Sequence, residues 1–312
     1  MKIKLLTHCD LDGYGCQVLA KLAFGENVEV WNCNYHNIDK SVLKSIDDDT
    51  YDELHITDIS CSMFVASQLN NAKTKPTYLM DHHGTSLPLN KFDWCQVETN
   101  NSQGLLTCGT ELYYNFLKEK GYLQADEMLG KTIEAFVEIV RDYDTWRWFE
   151  LKKVQCKQLN DLVGLYGPEK FVDWCLRKIK DGSFPEFDEI DKIVLSIRQD
   201  EIDAYVRTKE KQMTIRPIFG YECGVIFAER FFDEVGNKIC EHNPNIDLII
   251  MVDVAKQKIS YRTVKDDVNV AEFAKMVAEG GGHPKAAGSQ IDKYNLELFL
   301  NNILSEHEGE PS

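Results

Sequence analysis

The first apolar segment of the chain ends in three side chains of types that bind cations. His8, Asp10 and Asp12 stand at every second position, and Gly13 and Gly15 then allow a sharp turn into a helix. Because alternate residues of an extended segment lie on the same side, the imidazole and the two carboxylates should converge. Such groups repel one another unless a cation lies among them, so the spacing favours a metal site. The alternative is a polar strand end at which Asp12-Gly13 only makes a turn.

Residues of the same chemical types follow two later segments that read as strands. Asp58 stands near the end of the third predicted strand, and Asp81, His82 and His83 follow the fourth. The strands of a parallel sheet end at the same edge, and open α/β sheets bind their ligands there. All these side chains would therefore share one edge, which argues against the turn-only interpretation. Imidazole and carboxylate donors suit Mn²⁺, whereas the absence of clustered thiolates argues against structural zinc.

The elements that must position these residues alternate along the first hundred positions. Predicted strands cover residues 3–8, 28–33, 54–59, 77–80 and 94–97, and predicted helices cover 14–24, 40–46 and 62–72. Strands that alternate with short helices indicate right-handed crossovers and a doubly wound parallel sheet.

Two acidic residues at the end of a later helix offer a further ligand. The chain turns helical after Thr107, and the second of these helices ends in the run 141–148, which contains Asp142 and Asp144. The pair either forms a polar patch at the end of the helix or completes the metal cluster. The aromatic residues of the run are interpreted as core and not as a stacking platform for bases.

The remainder of the chain predicts a second, smaller domain. Residues 185–213 read as a long helix with an incomplete apolar stripe, as expected of a connector. Further predicted strands cover 221–227, 246–252 and 258–263, and a predicted helix covers 270–278. The predicted fold class is α/β, with a doubly wound parallel sheet domain joined by a helical linker to a second, smaller α/β domain. The predicted boundaries are 1–185, 186–213 and 214–312.

A glycine run near the C-terminus could bind an anion. Its consecutive backbone N–H groups can form a nest, and Arg262 on a nearby predicted strand would add charged donors. The alternative for such a run is a flexible loop without a ligand. The candidate substrate-binding residues of this region are Arg262, Gly280, Gly281, Gly282 and His283.

The composition limits the partners of the protein. The chain has 312 residues, which suits two ordinary domains, and its net charge of −16 would repel a long nucleic-acid duplex. Its ten cysteines are scattered singly, which indicates free thiols in a reducing compartment. Neither a signal peptide nor an apolar segment of membrane-spanning length is recognised. We therefore expect a soluble cytoplasmic protein with no membrane partner, and any nucleic-acid substrate should be short or held by metal ions and a few local donors.

Together these motifs resemble those of the DHH phosphoesterase superfamily with its associated C-terminal domain. They occur in the family's order and span nearly the whole chain. The branch that they resemble most is the bacterial nanoRNases, or oligoribonucleases, with Tyr-Asp-Thr-Trp as the fourth motif. The segments that carry the resemblance are 8–13, 58, 81–83, 144–145, 260–263 and 280–283.

The resemblance implies a two-metal enzyme that uses Mn²⁺, with Mg²⁺ or Co²⁺ as alternatives. Asp81 would orient the site and His83 would face the scissile phosphate, so these two are the implied catalytic residues. Because the family's aspartate precedes a threonine, Asp144 is preferred to Asp142 as a ligand. The implied ligands are His8, Asp10 and Asp144 for one ion, Asp12 and His82 for the other, and Asp58 as the bridge, with a shared Asp144 as an alternative.

The activity that the resemblance implies is exonucleolytic hydrolysis of nanoRNA and dinucleotides to mononucleotides. RecJ nucleases, cyclic-dinucleotide phosphodiesterases and phosphoadenosine-phosphate phosphatases share the same core. A phosphatase of phosphoadenosine phosphate and a phosphodiesterase of cyclic nucleotides or cyclic dinucleotides are therefore alternatives. A binding module that kept the cluster without turnover is a third, although every expected ligand is present. The oligomeric state is left open, a homodimer included.

Overall fold

Five parallel strands form the sheet of the N-terminal part of the chain. The computed structural model describes residues 1–72 and 75–304. The strands are β1 (Ile3–His8), β2 (Val28–Cys33), β3 (Glu53–Thr57), β4 (Thr77–Asp81) and β5 (Cys95–Val97). Their order in the sheet is β2-β1-β3-β4-β5, and every neighbouring pair is parallel. The carboxyl ends of β1, β3 and β4 therefore lie side by side.

Helices cover both faces of this sheet. Leu5 and Leu6 are adjacent on β1 and fully buried, yet they belong to different core clusters, because successive strand residues point to opposite faces. The helices are α1 (Leu11–Phe24), α2 (Ile38–Ile46), α3 (Met63–Ala72), α4 (Gly109–Glu119), α5 (Glu127–Asp144), α6 (Arg147–Glu150), α7 (Val154–Tyr166) and α8 (Pro168–Lys180), with 3₁₀ helices at Gly25–Asn27 and Gly84–Lys91. A core on each face is what a doubly wound parallel sheet requires, so this prediction is confirmed.

A 23-residue helix crosses the boundary between two compact units of the chain, Met1–Leu195 and Ser196–Ser312. This helix, α9 (Glu189–Lys211), lies within the range 186–213 predicted as a linker. Its residues Ile202 and Val206 belong to a core cluster of the second unit. Neither α9 nor any other helix within residues 1–72 and 75–304 combines the length and the apolar character that crossing a membrane requires.

The second unit contains a mixed six-stranded sheet. Its elements are β6 (Thr214–Ile218), β7 (Tyr221–Phe227), α10 (Phe232–His242), β8 (Leu248–Asp253), β9 (Lys258–Arg262), α11 (Val270–Ala278), β10 (Gly281–His283), β11 (Ala286–Gln290) and α12 (Lys293–Leu304). The order is β10-β11-β9-β8-β7-β6, with β7 and β8 parallel and the other pairs antiparallel. Ile249 and Ile250 face separate clusters, so this sheet also has a core on each side. The predicted second, smaller α/β fold is confirmed.

The C-terminal glycine run is a strand where the sequence suggests a loop or a nest. Gly281 to His283 pair antiparallel with β11 and form the edge of the sheet. A Cβ on Gly282 would lie 2.5 Å from the carbonyl oxygen of Ala286, and one on Gly280 would lie 2.6 Å from that of Gly288. The glycines are therefore needed for close approach of two backbones, a requirement that composition alone does not distinguish from a flexible loop.

Candidate metal and active site

The segment after β1 brings His8, Asp10 and Asp12 to the carboxyl edge of the sheet. Asp10 caps α1, since its Oδ1 accepts the N–H of Gly13 at 3.0 Å, and its Oδ2 lies 2.6 Å from Nδ1 of His8. Glycine is required at position 13, because a Cβ there would lie 2.1 Å from the carbonyl oxygen of His8. Asp12 reaches the edge from the first turn of α1. The convergence therefore comes from a strand, a cap and a helix, and not from one extended segment as the spacing suggested.

Asp12 is buried at the N-terminus of α4, a helix that begins almost a hundred residues later. Its Oδ2 accepts the N–H of Gly109 at 2.6 Å, and its Oδ1 accepts the N–H of Thr110 at 2.8 Å. The free N–H groups of a helix N-terminus stabilise a buried carboxylate. A Cβ on Gly109 would lie 2.5 Å from the Cβ of Asp58. Sequence reasoning missed this contact, for which the run Cys108-Gly109-Thr110 ahead of a helix is the available signal.

Asp58 occupies the turn after β3 and is fully buried. Its backbone has a left-handed φ of 58°, which is strained for a residue other than glycine. Oδ1 lies 3.2 Å from Nε2 of His82, whereas Oδ2 is buried without a hydrogen-bond partner among the described residues. Burial, followed by the charges of Asp12 and Asp10, raises the pKa of Asp58 well above its usual value. A cation at this position would satisfy the unpaired oxygen and offset the repulsion.

Asp81 and His83 form a hydrogen-bonded pair at the end of β4. Oδ1 of Asp81 accepts the Nδ1 proton of His83 at 2.7 Å, and Ser60 donates its hydroxyl proton to Oδ2. Burial alone would raise the pKa of Asp81, but the bond and charge of His83 prevail and lower it to about 2. The same hydrogen bond raises the pKa of His83. The pair therefore holds the imidazole ring in one orientation, with Nε2 directed away from the carboxylate.

His82 directs its Nε2 at three carboxylates. This atom lies 3.2 Å from Oδ1 of Asp58, and 3.6 Å from both Oδ2 of Asp12 and Oδ2 of Asp144. Burial lowers the pKa of His82, although the charge of Asp12 acts in the opposite direction. The neutral imidazole that burial favours is the form that can bind a metal ion.

Asp144, and not Asp142, faces the cluster. Asp142 is fully buried and is neutralised by three cations. Nη2 of Arg141 and Nη1 of Arg147 lie 3.6 and 3.3 Å from its Oδ1, and Nζ of Lys153 lies 2.6 Å from its Oδ2. Asp144 lacks such cationic partners among the described ion pairs and lies beside His82. Burial, followed by the charges of Asp12 and Asp10, raises the pKa of Asp144 well above its usual value. This is the environment of a carboxylate that a cation would stabilise.

The donor atoms at this edge fit a divalent metal ion. All of them are imidazole nitrogens and carboxylate oxygens, the donors that suit Mn²⁺ and similar ions. The buried, unpaired oxygen of Asp58 and the raised pKa of two carboxyl groups are the observations that a cation would account for. In each of three sets, one ligand atom per residue lies within 4.8 Å of the others: His8, Asp10 and Asp58; Asp12, His82 and Asp144; and Asp58, Asp81, His82 and His83.

Tyr35 is a second residue that sequence reasoning missed. It stands two positions beyond β2, at the same edge of the sheet, and its hydroxyl lies 3.3 Å from Nε2 of His83. Its ring centroid is 5.3 Å from that of His8. An aromatic residue just after a strand that borders the metal motif is the signal that could have identified it.

The aromatic run after Asp144 is core only in part. Tyr143 and Trp148 pack against the core of the first unit, with ring centroids 6.2 Å apart. Trp146 is 50% exposed and has a left-handed φ of 61°. The interpretation as core is right for Trp148 and wrong for Trp146, because the turn that ends α5 directs the first indole outward and the second inward.

Arg262 lies in the second unit with its guanidinium already paired. Nε and Nη2 donate to Oδ1 of Asp233 at 2.9 and 2.7 Å, and Nη1 donates to the carbonyl oxygen of Tyr261 at 2.8 Å. Arg262 is on β9 and His283 on β10, with β11 between these strands. An anion that binds the guanidinium fork would have to compete with Asp233.

Comparisons with known proteins identify relatives along nearly the whole chain. The family model of the DHHA1 domain matches residues 235–308. The chain is 33% identical to the oligoribonuclease NrnB of Bacillus subtilis (strain 168) over 305 aligned positions, covering 95% of this chain and 74% of NrnB. It is 25% identical to a 3′,5′-cyclic-nucleotide phosphodiesterase of Helicobacter pylori over 368 aligned positions, covering 99% of this chain and 98% of that protein.

A solved structure supports the same fold. RecJ of Thermus thermophilus, in complex with Mn²⁺, aligns with a TM-score of 0.54 and 14% identity, over 97% of this chain and 51% of RecJ. At this identity the likeness concerns the fold alone. The identity to NrnB over most of both chains is what decides the family. The chain therefore belongs to the DHH phosphoesterase superfamily, in the family of the oligoribonuclease NrnB.

Proposed function

We propose that this enzyme hydrolyses short oligoribonucleotides, dinucleotides included, to mononucleotides with two divalent cations, Mn²⁺ being preferred to Mg²⁺ or Co²⁺. The observation that carries the proposal is the convergence of two histidines and four aspartates at one sheet edge. The 33% identity to an oligoribonuclease supports the substrate class. The net charge of −16 also favours a short substrate, because a long duplex would meet an acidic surface.

The six metal ligands that we propose fall into two sets of three. The resemblance implies Asp144 for the ion of His8 and Asp10, but the donor atom of Asp144 lies within 4.8 Å of those of Asp12 and His82. We therefore propose His8, Asp10 and Asp58 as ligands of one ion, and Asp12, His82 and Asp144 as ligands of the other. Asp58 would be the bridge, because its Oδ1 lies 3.2 Å from Nε2 of His82 and its Oδ2 lies 3.9 Å from Nδ1 of His8. When bound, two such ions would activate the attacking water and stabilise charge on the phosphoryl group.

Asp81 and His83 are the catalytic pair in this proposal. Asp81 accepts the Nδ1 proton of His83 and raises the pKa of the imidazole, which favours the protonated ring with a second N–H at Nε2. His83 can then donate from Nε2 to an oxygen of the scissile phosphate, or transfer that proton to the leaving oxygen. The role of Asp81 is to hold the imidazole ring of His83 in place. The carboxylate of Asp81 is fully buried, so water does not compete for its hydrogen bond to the ring.

The second unit supplies substrate binding in this proposal. We keep 1–185 as the catalytic domain, 186–213 as the linker and 214–312 as the substrate-binding domain. Arg262 would bind a phosphate in exchange for Asp233, and His283 would add a donor. Because Gly280, Gly281 and Gly282 lie in or beside an edge strand, their contribution would come from outward N–H groups of that edge.

We also propose that the enzyme works in a reducing cytoplasm, as a single chain or a homodimer, without a membrane partner. All ten cysteines are free thiols, and eight of them are buried. Isolated buried thiols are typical of proteins that fold without disulfides.

A second candidate activity is hydrolysis of cyclic nucleotides. It is favoured by the match to the H. pylori phosphodiesterase, which covers nearly the whole of both proteins. The same metal cluster and catalytic pair would serve either reaction, as they would a phosphatase of phosphoadenosine phosphate. The difference lies in how the rest of the substrate is bound.

The test is a panel of substrates offered to metal-depleted enzyme that is then supplied with Mn²⁺, Mg²⁺ or Ca²⁺. A 5′-phosphorylated ribodinucleotide, a 3′,5′-cyclic nucleotide and phosphoadenosine phosphate are compared by chromatography of the products. We expect the highest kcat/KM for the dinucleotide with Mn²⁺, and none in chelator. Asp144→Asn, which removes the charge of a proposed ligand, should lower kcat/KM with Mn²⁺. Glu26→Gln, which changes an exposed carboxylate away from the cluster, is its control and should not. Full activity in chelator, or equal rates with Ca²⁺, would contradict the two-metal proposal.

A further inference from the structure

A cavity of about 310 Å³ lies directly beside the catalytic pair. One wall is the segment between β3 and α3, and another is the 3₁₀ helix that follows His83. Tyr35, Asp81 and His83 also line the cavity. The remaining lining residues are Ser60, Cys61, Ser62, Met63, Thr85, Ser86, Pro88 and Leu89. The volume is at the lower end of the range of small-molecule sites.

The lining of the cavity suits an uncharged polar group. Five hydroxyls line it, from Tyr35, Ser60, Ser62, Thr85 and Ser86, together with apolar side chains. Among the described residues that line it, none is a lysine or arginine. Apart from His83, which the proposed function assigns to the scissile phosphate, the lining offers a phosphate no cationic side chain, whereas ribose hydroxyls and base edges would find donors and acceptors.

Tyr35 is the aromatic wall of the cavity. The residue is 64% exposed, so much of the ring is open to a ligand. Two contacts fix its position: the hydroxyl lies 3.3 Å from Nε2 of His83, and the ring centroid lies 5.3 Å from that of His8. The ring also lies edge-on to His83, with centroids 6.3 Å apart. An exposed ring held by its polar end is a suitable surface for stacking a base.

We propose that this cavity is a nucleoside subsite, in which the base adjoining the scissile phosphate packs against Tyr35. The inference rests on the proposed function, because it places the scissile phosphate at Nε2 of His83. The nucleoside on one side of that phosphate enters the cavity, and its ribose meets the serine and threonine hydroxyls. Base stacking is tolerant of sequence, so the subsite accepts any of the four bases.

The experiment combines changes in the enzyme with changes in the substrate. Wild type, Tyr35→Ala and Tyr35→Phe are compared on a ribodinucleotide, on the two dinucleotides that lack one base or the other, and on bis(4-nitrophenyl) phosphate, which has no nucleoside. Phe64→Ala is the control, because Phe64 is 70% exposed and outside the lining. Thermal melting of each variant checks the fold, which an exposed side chain should not affect.

We expect the wild type to lose about tenfold to hundredfold in kcat/KM when one particular base is absent. Tyr35→Ala should lose most of that discrimination, whereas Tyr35→Phe, which keeps the ring, and Phe64→Ala should retain it. If Tyr35→Ala loses the same factor on all four substrates, Tyr35 acts through His83 and the subsite is wrong. Loss of discrimination in Tyr35→Phe would contradict it in the same way. A wild type that is inactive on every phosphodiester would instead overturn the proposed function, and the subsite with it.

Discussion

Gly109→Ala should weaken both the fold and the metal site, although it adds only one methyl group. Gly109 is the first residue of α4 and donates its N–H to Asp12. The added Cβ would lie 2.5 Å from the Cβ of Asp58, 2.9 Å from its Cα and 3.1 Å from Oδ2 of Asp12. The substitution therefore presses on two proposed metal ligands at once.

The size of the effect follows from these distances. Carbon atoms in contact prefer a separation of about 3.5–4.0 Å, so the backbone at Asp58 must move by about 1 Å. That backbone already has a φ of 58° and lies in a fully buried turn, which leaves it little room to adapt. Overpacking of this kind costs about 1–3 kcal/mol. For a unit of this size, each kcal/mol lowers Tm by about 2–4 °C. Displaced ligands should also weaken Mn²⁺ binding by about 10- to 100-fold.

The measurements are thermal unfolding in chelator, calorimetric titration with Mn²⁺ and kcat/KM on a dinucleotide. Gly130→Ala is the matched control, because it lies within α5 and a Cβ there meets nothing within 4 Å. The control should gain about 0.5–1 kcal/mol from the better helix propensity of alanine. Wild-type Tm together with wild-type Mn²⁺ affinity in Gly109→Ala would refute the reasoning.

Three further predictions concern the cluster, the second unit and the core. Asp58→Ala should fold and yet lose more than about a hundredfold in kcat/KM, because a bridging ligand serves both ions. This loss should exceed that of any other single truncation in the cluster. A near-wild-type rate and metal content would show that Asp58 is not the bridge. Arg262→Ala should raise KM about tenfold, lower kcat by a smaller factor and leave the bound metal unchanged. Asp233→Asn, which frees the guanidinium of Arg262, should instead lower KM. Loss of metal in Arg262→Ala would contradict a role in substrate binding alone. Burial lowers the pKa of His55 below its ordinary value of 6.5. As the pH falls from 7 to 5, the imidazole therefore gains a proton in the unfolded chain but not in the folded one. The free energy of unfolding, measured in chelator, should fall over the same range. Denaturant titrations should show a smaller fall in His55→Gln, and an equal fall would assign the pH dependence elsewhere.

The parallel sheet and its active edge follow from local patterns in the sequence. Apolar runs of strand length alternate with amphipathic helices, and this alternation allows few topologies. Once the strands are parallel, residues that end or follow β1, β3 and β4 must meet, which is why His8, Asp58 and Asp81 could be placed at one edge. The glycine at position 13 was also readable, because a sharp turn after a strand requires it.

Contacts between distant segments could not be read in this way. Asp12 is held by the N-terminus of α4 from 97 residues away, and no local pattern pairs the two segments. The choice between Asp142 and Asp144 is similar, since Asp142 is neutralised by Lys153, which stands just before α7. From the sequence both are acidic residues at the end of one helix. Only the fold shows which of them already has cationic partners.

The C-terminal glycines and Arg262 show the same division. A glycine run predicts conformational freedom, but whether that freedom serves a loop, a nest or a close strand pair depends on what lies opposite. Here the carbonyl oxygens of Ala286 and Gly288 lie opposite, so the run becomes an edge strand. Arg262 was readable as a charge but not as a charge already paired with Asp233 on α10. The sequence by itself determined which chemical groups are present and the order of the helices and strands. The tertiary structure decided which of those groups remain free to bind a ligand, because the partners that would occupy them are brought together only by folding.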